Sequence, residues 1–356
     1  MFKKQLDFLA IGDITIDAFI HIPGAAAGMH EESGAHVTCK DAEKEHCVLS
    51  LPFPDKIPFD SVEEIAGVGN SANAAVSAAR LGLRSALVTN IGSDERGRQC
   101  VVELKKNKVE TDFVTIQKNE STNYHYALWF NTDRTILIKH HEYNYHFPKN
   151  ATKPDPNAPR WIYLSSLSSN SYDYHVEIAT YLKANPSVKL AFQPGTFQMK
   201  LGIEKMSKFY KRSDVFIVNV EESQLILNNE TENIEELLHA VYKLGPKIVL
   251  ITDGPNGAYM FDGTTTYFMP IYPDVKPPYE RTGCGDAFAS TYVSALILGK
   301  SPLEALAWAP INSMSVVEYV GAQRGLLSRT ALEDLLAQAP MSYKPTVYNN
   351  HLEQQK

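Results

Sequence analysis

The chain has 356 residues, of which 44% are hydrophobic and 21% are charged, and its formal net charge is −7. A chain of this length can bury a large core, either as one α/β domain or as a main domain with an appendage. The acidic balance excludes the basic surface that nucleic-acid binding needs, so we expect no nucleic-acid partner.

No apolar segment has the length of a membrane span, and Asp7, Asp13 and Asp17 interrupt the apolar stretch near the N-terminus. We therefore expect no membrane partner and a cytoplasmic location. The cysteines are Cys39, Cys47, Cys100 and Cys284. Their spacing contains no CxxC pair and predicts no disulfide framework, in keeping with a reducing compartment.

A cluster of possible metal ligands lies early in the chain. Its members are His30, His36, Cys39, His46 and Cys47. Their spacings match no common zinc pattern, so we interpret them as ordinary loop and strand residues and keep a zinc site as the weaker alternative.

The first strand is predicted from the apolar run Phe8 to Ile11, continued by the alternating polar and apolar residues 12–17. Residues 18–66 are irregular and too long for a connection inside a compact domain, so they should carry strands of their own. A second β element is an aromatic hairpin over residues 123–140. We combine 18–66 and 113–146 into one small β lid.

The remaining segments predict an α/β domain formed by residues 1–17, 67–112 and 147–340, with a C-terminal tail at 341–356. An alanine-rich helix follows the turn 67–73 and ends near Leu81, where Gly82 suits a C-terminal cap. Further strands are predicted at 161–164, 189–192, 215–218 and 247–252, with helices between them. Such alternation implies a mainly parallel sheet with helices on both faces.

Ligands of such sheets bind beyond the carboxyl ends of the strands. The polar groups predicted there are Asp17, the turn 67–73, residues 219–222, residues 252–254 and residues 283–286. The last of these opens a helix with small residues, whose free amides can hold an anion. Asp286 would lie beside that anion and could take a proton from an attacking hydroxyl, as phosphoryl transfer needs. A glycine-rich turn capped by an aspartate is the simpler alternative.

Three stretches carry a family resemblance. Glu280 to Asp286 follows the pattern Asp-Thr-x-Gly-Ala-Gly-Asp, Val68 to Asn73 follows Gly-Gly-x-x-x-Asn, and Asn219 to Glu222 follows Asn-x-x-Glu. In these stretches, and in their order along residues 8–327, the chain resembles the ribokinase-like (PfkB) family of carbohydrate and nucleoside kinases. The resemblance implies a ribokinase-like α/β fold with a small β-sheet lid.

The resemblance also implies roles for individual residues. Asp286 resembles the catalytic base, and the amides of Gly283, Cys284 and Gly285 resemble an anion hole. The residues that resemble acceptor-hydroxyl ligands are Asp17, Gly69, Asn70 and Asn73. Those that resemble the nucleotide side are Asn219, Thr252, Gly254, Asn312 and Gly321. Glu222, with Asn219, resembles an element that positions Mg²⁺ through water, which suits a cation that keeps several waters.

The implied function is transfer of the ATP γ-phosphoryl group to a hydroxyl, expected to be a hydroxymethyl, of a sugar, as in ribokinases and fructokinases. A nucleoside acceptor is the alternative. A homodimer through the lid and a monovalent-cation cofactor stay open. Arg134, in the hairpin turn, is either solvated or a substrate contact.

The departures from the family patterns keep a rival open. They are Val68 for Gly, Glu280 for Asp, Arg281 for Thr and Cys284 for Ala. A protein that binds sugar or nucleotide without turnover would tolerate them. A dehydrogenase is disfavoured, because the glycines at 67 and 69 do not directly follow the first strand, as a dinucleotide fingerprint requires.

Overall fold

The computed structural model describes residues 5–22, 35–39, 47–130 and 133–348. The strands are β1 (Phe8–Ile11), β2 (Thr15–His21), β3 (His36–Cys39), β4 (Cys47–Ser50), β5 (Ser61–Val68), β6 (Ser85–Gly92), β7 (Val114–Gln117), β8 (Asn123–Phe130), β9 (Asp133–Lys139), β10 (Trp161–Leu164), β11 (Lys189–Phe192), β12 (Val215–Asn219), β13 (Val249–Thr252), β14 (Ala258–Phe261), β15 (Thr266–Met269) and β16 (Thr346–Val347). The helices are α1 (Asn70–Arg80), α2 (Glu95–Lys106), α3 (Tyr172–Ala184), α4 (Thr196–Arg212), α5 (Val220–Leu227), α6 (Ile234–Tyr242), α7 (Cys284–Ile297), α8 (Pro302–Val316) and α9 (Arg329–Ala337).

The main sheet has ten strands in the order β16-β15-β14-β13-β12-β11-β10-β1-β6-β7. The strands from β13 to β7 in this order are parallel, and β14, β15 and β16 add an antiparallel edge. The central strands are short and buried along their whole length, because helices cover both faces. The expected mainly parallel sheet with helices on both faces is confirmed.

Alternate residues of the central strands divide the core in two. Phe8 and Tyr163 point to the face covered by α1, α7 and α8, where their rings stack at 5.3 Å. Leu9 and Ile162 point to the opposite face, against α3, α4 and α6. The short side chains of α1, such as Ala75, let that helix pack closely against α7.

The small sheet has the order β5-β2-β8-β9, with β2 antiparallel to β5 and parallel to β8. This is the β lid that the sequence predicts. Residues 12–17 do not extend β1, however. The chain leaves the main sheet at Gly12, where a Cβ would lie 2.1 Å from Oγ of Ser71, and enters the lid as β2 from Thr15. Asp17 therefore stands on a lid strand.

Other elements differ from the expected boundaries. Strand β7, placed in the lid by the sequence, pairs with β6 in the main sheet. Helix α9 was not predicted, and part of the expected C-terminal tail forms β16, which pairs with β15. Residues 349–356 lie outside the described residues. Among the helices that the structure describes, none is long and apolar enough to cross a bilayer.

The early cysteines also differ from expectation. Cys47 is disulfide-bonded, so the prediction that the chain has no disulfide is wrong for this residue. Cys100 and Cys284 are free. His30 and His46 of the possible zinc cluster lie outside the described residues, and within the described ranges no group of three metal-binding side chains occurs.

Candidate active site

The glycine-rich turn before α7 creates the centre of the site. Gly283 precedes the helix with φ of 82°, a left-handed conformation that favours glycine, and no side chain caps the first turn. The first amides of α7 are thus left without a side-chain partner at the positive end of the helix dipole. Asp286 lies in the same turn and is 6% exposed. The turn thus places free helix amides beside a buried carboxylate, and an anion site there stays a prediction.

Three carboxamides donate hydrogen bonds to Asp286. Nδ2 of Asn70 and Nδ2 of Asn73 each lie 2.8 Å from one of its oxygens, and Nε2 of Gln193 lies 3.4 Å from Oδ1. Burial raises the pKa of Asp286 and the charge of Asp17 adds to the rise, while the three amide donors lower it. The positive end of a helix dipole favours an ionised carboxylate, so burial outweighs the dipole at Asp286.

Strand β2 and the lid hairpin bring a second group of polar side chains towards the site. Asp17 is 8% exposed, and its Oδ1 lies 3.2 Å from Nδ1 of His125 on β8. Asp13, at the exit from β1, accepts a hydrogen bond from Tyr145 at 2.7 Å and lies 3.3 Å from Nδ1 of His140. The two imidazole rings lie 5.1 Å apart.

Four residues at this site were not predicted: Asp13, His125, His140 and Gln193. Asp13 sits next to Gly12 at the end of β1, and this position at a strand end was a signal that could have found it. The histidines had no such signal, because only the pairing of β2 with β8 brings His125 next to Asp17.

Gly69 has φ of 111°, and a Cβ there would lie 2.8 Å from the carbonyl oxygen of Asp13. The glycine is therefore required for close approach of two backbone segments. Val68, one of the departures from the family pattern, is 2% exposed and packs in the core. Its side chain contributes to the interior of the protein.

A cavity of about 190 Å³ lies on the other side of the α7 turn. Its mainly apolar wall suits a nucleobase. Of the residues predicted for the nucleotide side, it includes Thr252 and Gly254, and Cys284 and Gly285 of the α7 turn also line it. Further lining residues are Ile271, Tyr272, Phe288, Ser313, Met314 and Val317.

Three residues predicted for the nucleotide side do not line this cavity, and one of them, Asn219, lies at the start of α5. Asn312 is fully buried, donates to Oγ1 of Thr291 at 2.8 Å and accepts from the backbone nitrogen of Leu327 at 2.9 Å. It holds helices together and does not line the cavity. Gly321 lies against the lid, where a Cβ would come 2.3 Å from Cδ1 of Ile65.

Asn219 and Glu222 form a reciprocal cap at the start of α5. The nitrogen of Glu222 donates to Oδ1 of Asn219 at 2.7 Å, and the nitrogen of Asn219 donates to Oε2 of Glu222 at 2.9 Å. Burial, together with the charges of Asp286 and Glu221, raises the pKa of Glu222 to about 7. A half-buried carboxyl near two other acids, with one oxygen outside the cap, is suited to a divalent cation.

Of the departures at 280–284, Glu280 has a structural explanation in its contacts. Glu280 is fully buried, accepts from the nitrogen and Oγ1 of Thr282 at 2.8 and 2.6 Å, and accepts from the nitrogen of Gly321 at 3.3 Å. Its carboxylate also lies 3.5 Å from Nε of Arg134 on β9. Burial raises the pKa of the Cys284 thiol, and the charge of Arg134 opposes this rise.

The structure thus brings Asn70 and Asn73, which are predicted to bind the acceptor, into contact with Asp286 in the α7 turn, and the same turn borders the apolar cavity. Comparison with known proteins identifies the family. The model of the pfkB family carbohydrate kinases matches residues 38–329. The chain belongs to this family.

Among curated relatives, the ribokinase of Bacillus subtilis is 26% identical over 273 residues, which covers 76% of this chain and 87% of the relative. The Burkholderia thailandensis nucleoside kinase, solved with inosine, has a TM-score of 0.70 at 14% identity, covering 95% of this chain and 99% of that one. A structure from E. coli in complex with ATP and Mg²⁺ has a TM-score of 0.69 at 17% identity, covering 94% and 99%.

These similarities confirm the ribokinase-like fold, and the family match identifies a carbohydrate kinase of the pfkB family that phosphorylates a hydroxyl. They also remove the dehydrogenase alternative. The roles of individual site residues stay predictions.

Proposed function

We propose that this pfkB-family kinase transfers the γ-phosphoryl group of ATP to a hydroxymethyl group of a sugar. The observation that carries the proposal is the position of Asp286 in the first turn of α7. Asp286 contacts the acceptor-side residues Asn70 and Asn73, while Cys284 and Gly285 of the same turn line the nucleotide cavity.

Asp286 takes the proton of the acceptor hydroxyl, whose oxygen then attacks the γ-phosphorus. The new oxygen–phosphorus bond forms as the bond to the bridging β,γ-oxygen breaks, and ADP leaves with that electron pair. The amides of Gly283, Cys284 and Gly285 stabilise the charge on the transferring group. Asp17, Gly69, Asn70 and Asn73 hold the acceptor hydroxyls.

ATP would occupy the cavity that Thr252 and Gly254 line. Glu222, with Asn219, would hold Mg²⁺ through water, because the carboxyl is half-buried near other acids and keeps one oxygen outside the cap. When bound, Mg²⁺ neutralises charge on the phosphates. The structurally similar E. coli protein was solved with ATP and Mg²⁺ together, which supports the proposal that both bind here.

The lid supplies the cover of the site. Asp17, His125 and Arg134 all come from its strands, and Arg134 contacts Glu280 next to the α7 turn. Closure of the lid over the acceptor would exclude water, which otherwise competes with the acceptor for the phosphoryl group.

One observation favours a nucleoside acceptor as the second candidate. Ile136 and Ile138 share a face of β9 with Arg134, because side chains alternate along a strand. They are 38% and 57% exposed, so this face offers apolar area that a flat base could cover and a small sugar does not need.

The deciding experiment measures ADP release, with ATP and Mg²⁺, across ribose, fructose, other sugars and nucleosides. We expect one class of acceptor to stimulate release, and Asp286→Asn to lower kcat by about a thousandfold. Asp334→Asn, an exposed carboxylate on α9, is the matched control and should behave as the parent. If no acceptor raises ADP release, the kinase proposal fails. If Asp286→Asn matches an active parent, Asp286 is not the base, whereas binding without ADP release in both proteins supports the binding protein without turnover.

The proposal includes a homodimer through the lid. Strand β9 ends the lid sheet, and Leu137 on it is 53% exposed. An open, apolar edge of this kind favours pairing with another strand. A cytoplasmic location and any monovalent-cation dependence stay predictions.

A further inference from the structure

The carboxamides around Asp286 work as donors only in one of their two orientations. A carboxamide carries an NH₂ donor on one side and a carbonyl acceptor on the other. If either Asn73 or Gln193 were reversed, its oxygen would face a carboxylate oxygen and repel it. Some other group must therefore fix the orientation of each amide.

Gln323 fixes the orientation of the Asn73 side-chain amide. Nε2 of Gln323 donates to the carbonyl oxygen of Gly67 at 2.8 Å and to Oδ1 of Asn73 at 3.0 Å. A backbone carbonyl can only accept, so the contact with Gly67 requires the NH₂ of Gln323 at this position. The amide of Asn73 must then present its oxygen to Gln323 and its nitrogen to Asp286.

The segment that carries Gln323 is itself held firmly. Gln323 is 7% exposed. Nη1 of Arg80 donates to the backbone oxygens of Gln323 at 2.6 Å and Leu326 at 2.9 Å. Gln323 is thus fixed at both its backbone and its side chain.

Tyr163 fixes the orientation of the Gln193 side-chain amide in a similar way. Its hydroxyl donates to Oε1 of Gln193, which directs Nε2 towards Asp286. Tyr163 is fully buried on β10, and burial together with the charges of Asp286 and Glu222 raises its pKa well above the usual value. The phenol therefore keeps the proton that it donates.

We propose that Gln323 and Tyr163 are positioning residues that hold the carboxamides of Asn73 and Gln193 in the orientation that donates to Asp286. Neither residue touches Asp286 by a hydrogen bond in the structure, so each acts through its amide. The kinetic consequence rests on the proposed function, in which Asp286 is the base.

The effect should be visible as a change in the proton affinity of Asp286. The other titratable groups that act on Asp286 or respond to its charge are Asp17 from β2, Glu222 from α5, Tyr163 from β10 and Cys284 in its own turn. In this acidic surrounding, an amide that turned its oxygen to the carboxylate would favour proton uptake.

The test measures Asp286 directly, without relying on turnover. The full-length protein is labelled with aspartate carrying ¹³C at the side-chain carboxyl, and the Asp286 signal is assigned by its loss in Asp286→Asn. We expect Gln323→Met and Tyr163→Phe each to raise the titration midpoint of Asp286 by about one pH unit. Tyr210→Phe, at another buried tyrosine, should leave it at the parent value.

The two variants lie on different elements, so one that failed to fold would leave the other as a test. The inference is overturned if both variants titrate as the parent does, or if Tyr210→Phe moves the midpoint equally. If the midpoint of Asp286 shifts in only one variant, only the residue replaced in that variant is a positioning residue. If acceptor-dependent ADP release is absent from the parent, the proposed function fails, while the titration still decides the positioning roles. If the parent is active, the acid limb of the pH profile of kcat should shift by the same amount as the titration midpoint of Asp286.

Discussion

Nε of Arg134 lies 3.5 Å from Oε1 of Glu280, which links the edge strand of the lid to the residue that opens the α7 turn. Glu280 is fully buried and its other oxygen accepts from the nitrogen of Gly321. Of the two interpretations that the sequence left for Arg134, a purely solvated turn residue does not agree with this contact. An electrostatic contact therefore joins the lid to the α7 turn.

Replacing Arg134 by Met should destabilise the protein, because the buried carboxylate of Glu280 then lacks its cationic partner. We expect a loss of about 1 to 3 kcal/mol in the free energy of unfolding, measured with urea. The loss should stay in this range because the Arg134 side chain is 25% exposed. Arg98→Met, which breaks an exposed pair with Glu95, is the control and should change stability by less than about 0.5 kcal/mol. Equal losses in the two variants would contradict a special role for Arg134.

Glu222→Gln should change stability in a pH-dependent way. The folded pKa is raised from 4.5 to about 7, so between these values the folded protein holds a proton that the unfolded chain has released. Stability is therefore lost as pH rises through this window. The variant lacks this titration and can keep the cap, so it should be more stable than the parent at pH 8, by about 1 to 3 kcal/mol.

Below pH 4.5 the gain of Glu222→Gln over the parent should vanish, since Glu222 is then protonated in both states. Thermal unfolding at several pH values, without nucleotide or Mg²⁺, checks this. A second readout is the Mg²⁺ concentration needed for half-maximal ADP release, which should rise in the variant. A constant stability difference at all pH values would show that Glu222 does not titrate as expected.

The two glycines of the anion site should respond differently to alanine. At Gly283 φ is 82° and a new Cβ would lie 2.2 Å from Cβ of Ala322, so Gly283→Ala should lose about 2 kcal/mol of stability or more. At Gly285 nothing lies within 4 Å of a new Cβ, so Gly285→Ala should fold normally. Its methyl group would still enter the space beside the transferring phosphoryl group.

We therefore expect Gly285→Ala to lower kcat by roughly a hundredfold while its melting temperature matches the parent. Thermal unfolding and ADP release, measured on the same preparations, separate the two effects. Normal turnover of Gly285→Ala would contradict the anion site at this turn.

The proposed lid dimer predicts a mass near twice that of the chain in size-exclusion chromatography with light scattering. Leu137→Lys places a charge on the exposed edge strand β9 and should yield monomers. Val102→Lys, at a residue of α2 that is 61% exposed, is the control and should remain dimeric. Monomers of the parent at micromolar concentration would exclude the dimer.

Much of the main domain followed from local signals. Strands β10 and β11 begin and end where the apolar runs do, and α1 ends just before Gly82, which has φ of 91°. The α7 turn was predicted because its glycines and its aspartate are adjacent in the chain. Local periodicity and backbone conformation suffice for such features.

Other features depended on contacts between distant residues. The exit of the chain at Gly12 into the lid, and the pairing of β7 with the main sheet, follow from packing against other elements. Gln323 lies 250 residues from Asn73 in the chain, and Gln193 lies 93 residues from Asp286. No spacing pattern connects them.

By itself the sequence determined the layered α/β core, the glycine turn that frees the first amides of α7, and the carboxylate in that turn. These depend on short-range order, in which each residue acts through its neighbours in the chain. Only the tertiary structure decided which amides meet Asp286, that Arg134 reaches Glu280, and that Asn312 stays in the core. A hydrogen bond requires two groups within about 3 Å, and the fold alone brings residues so far apart in the chain to that distance.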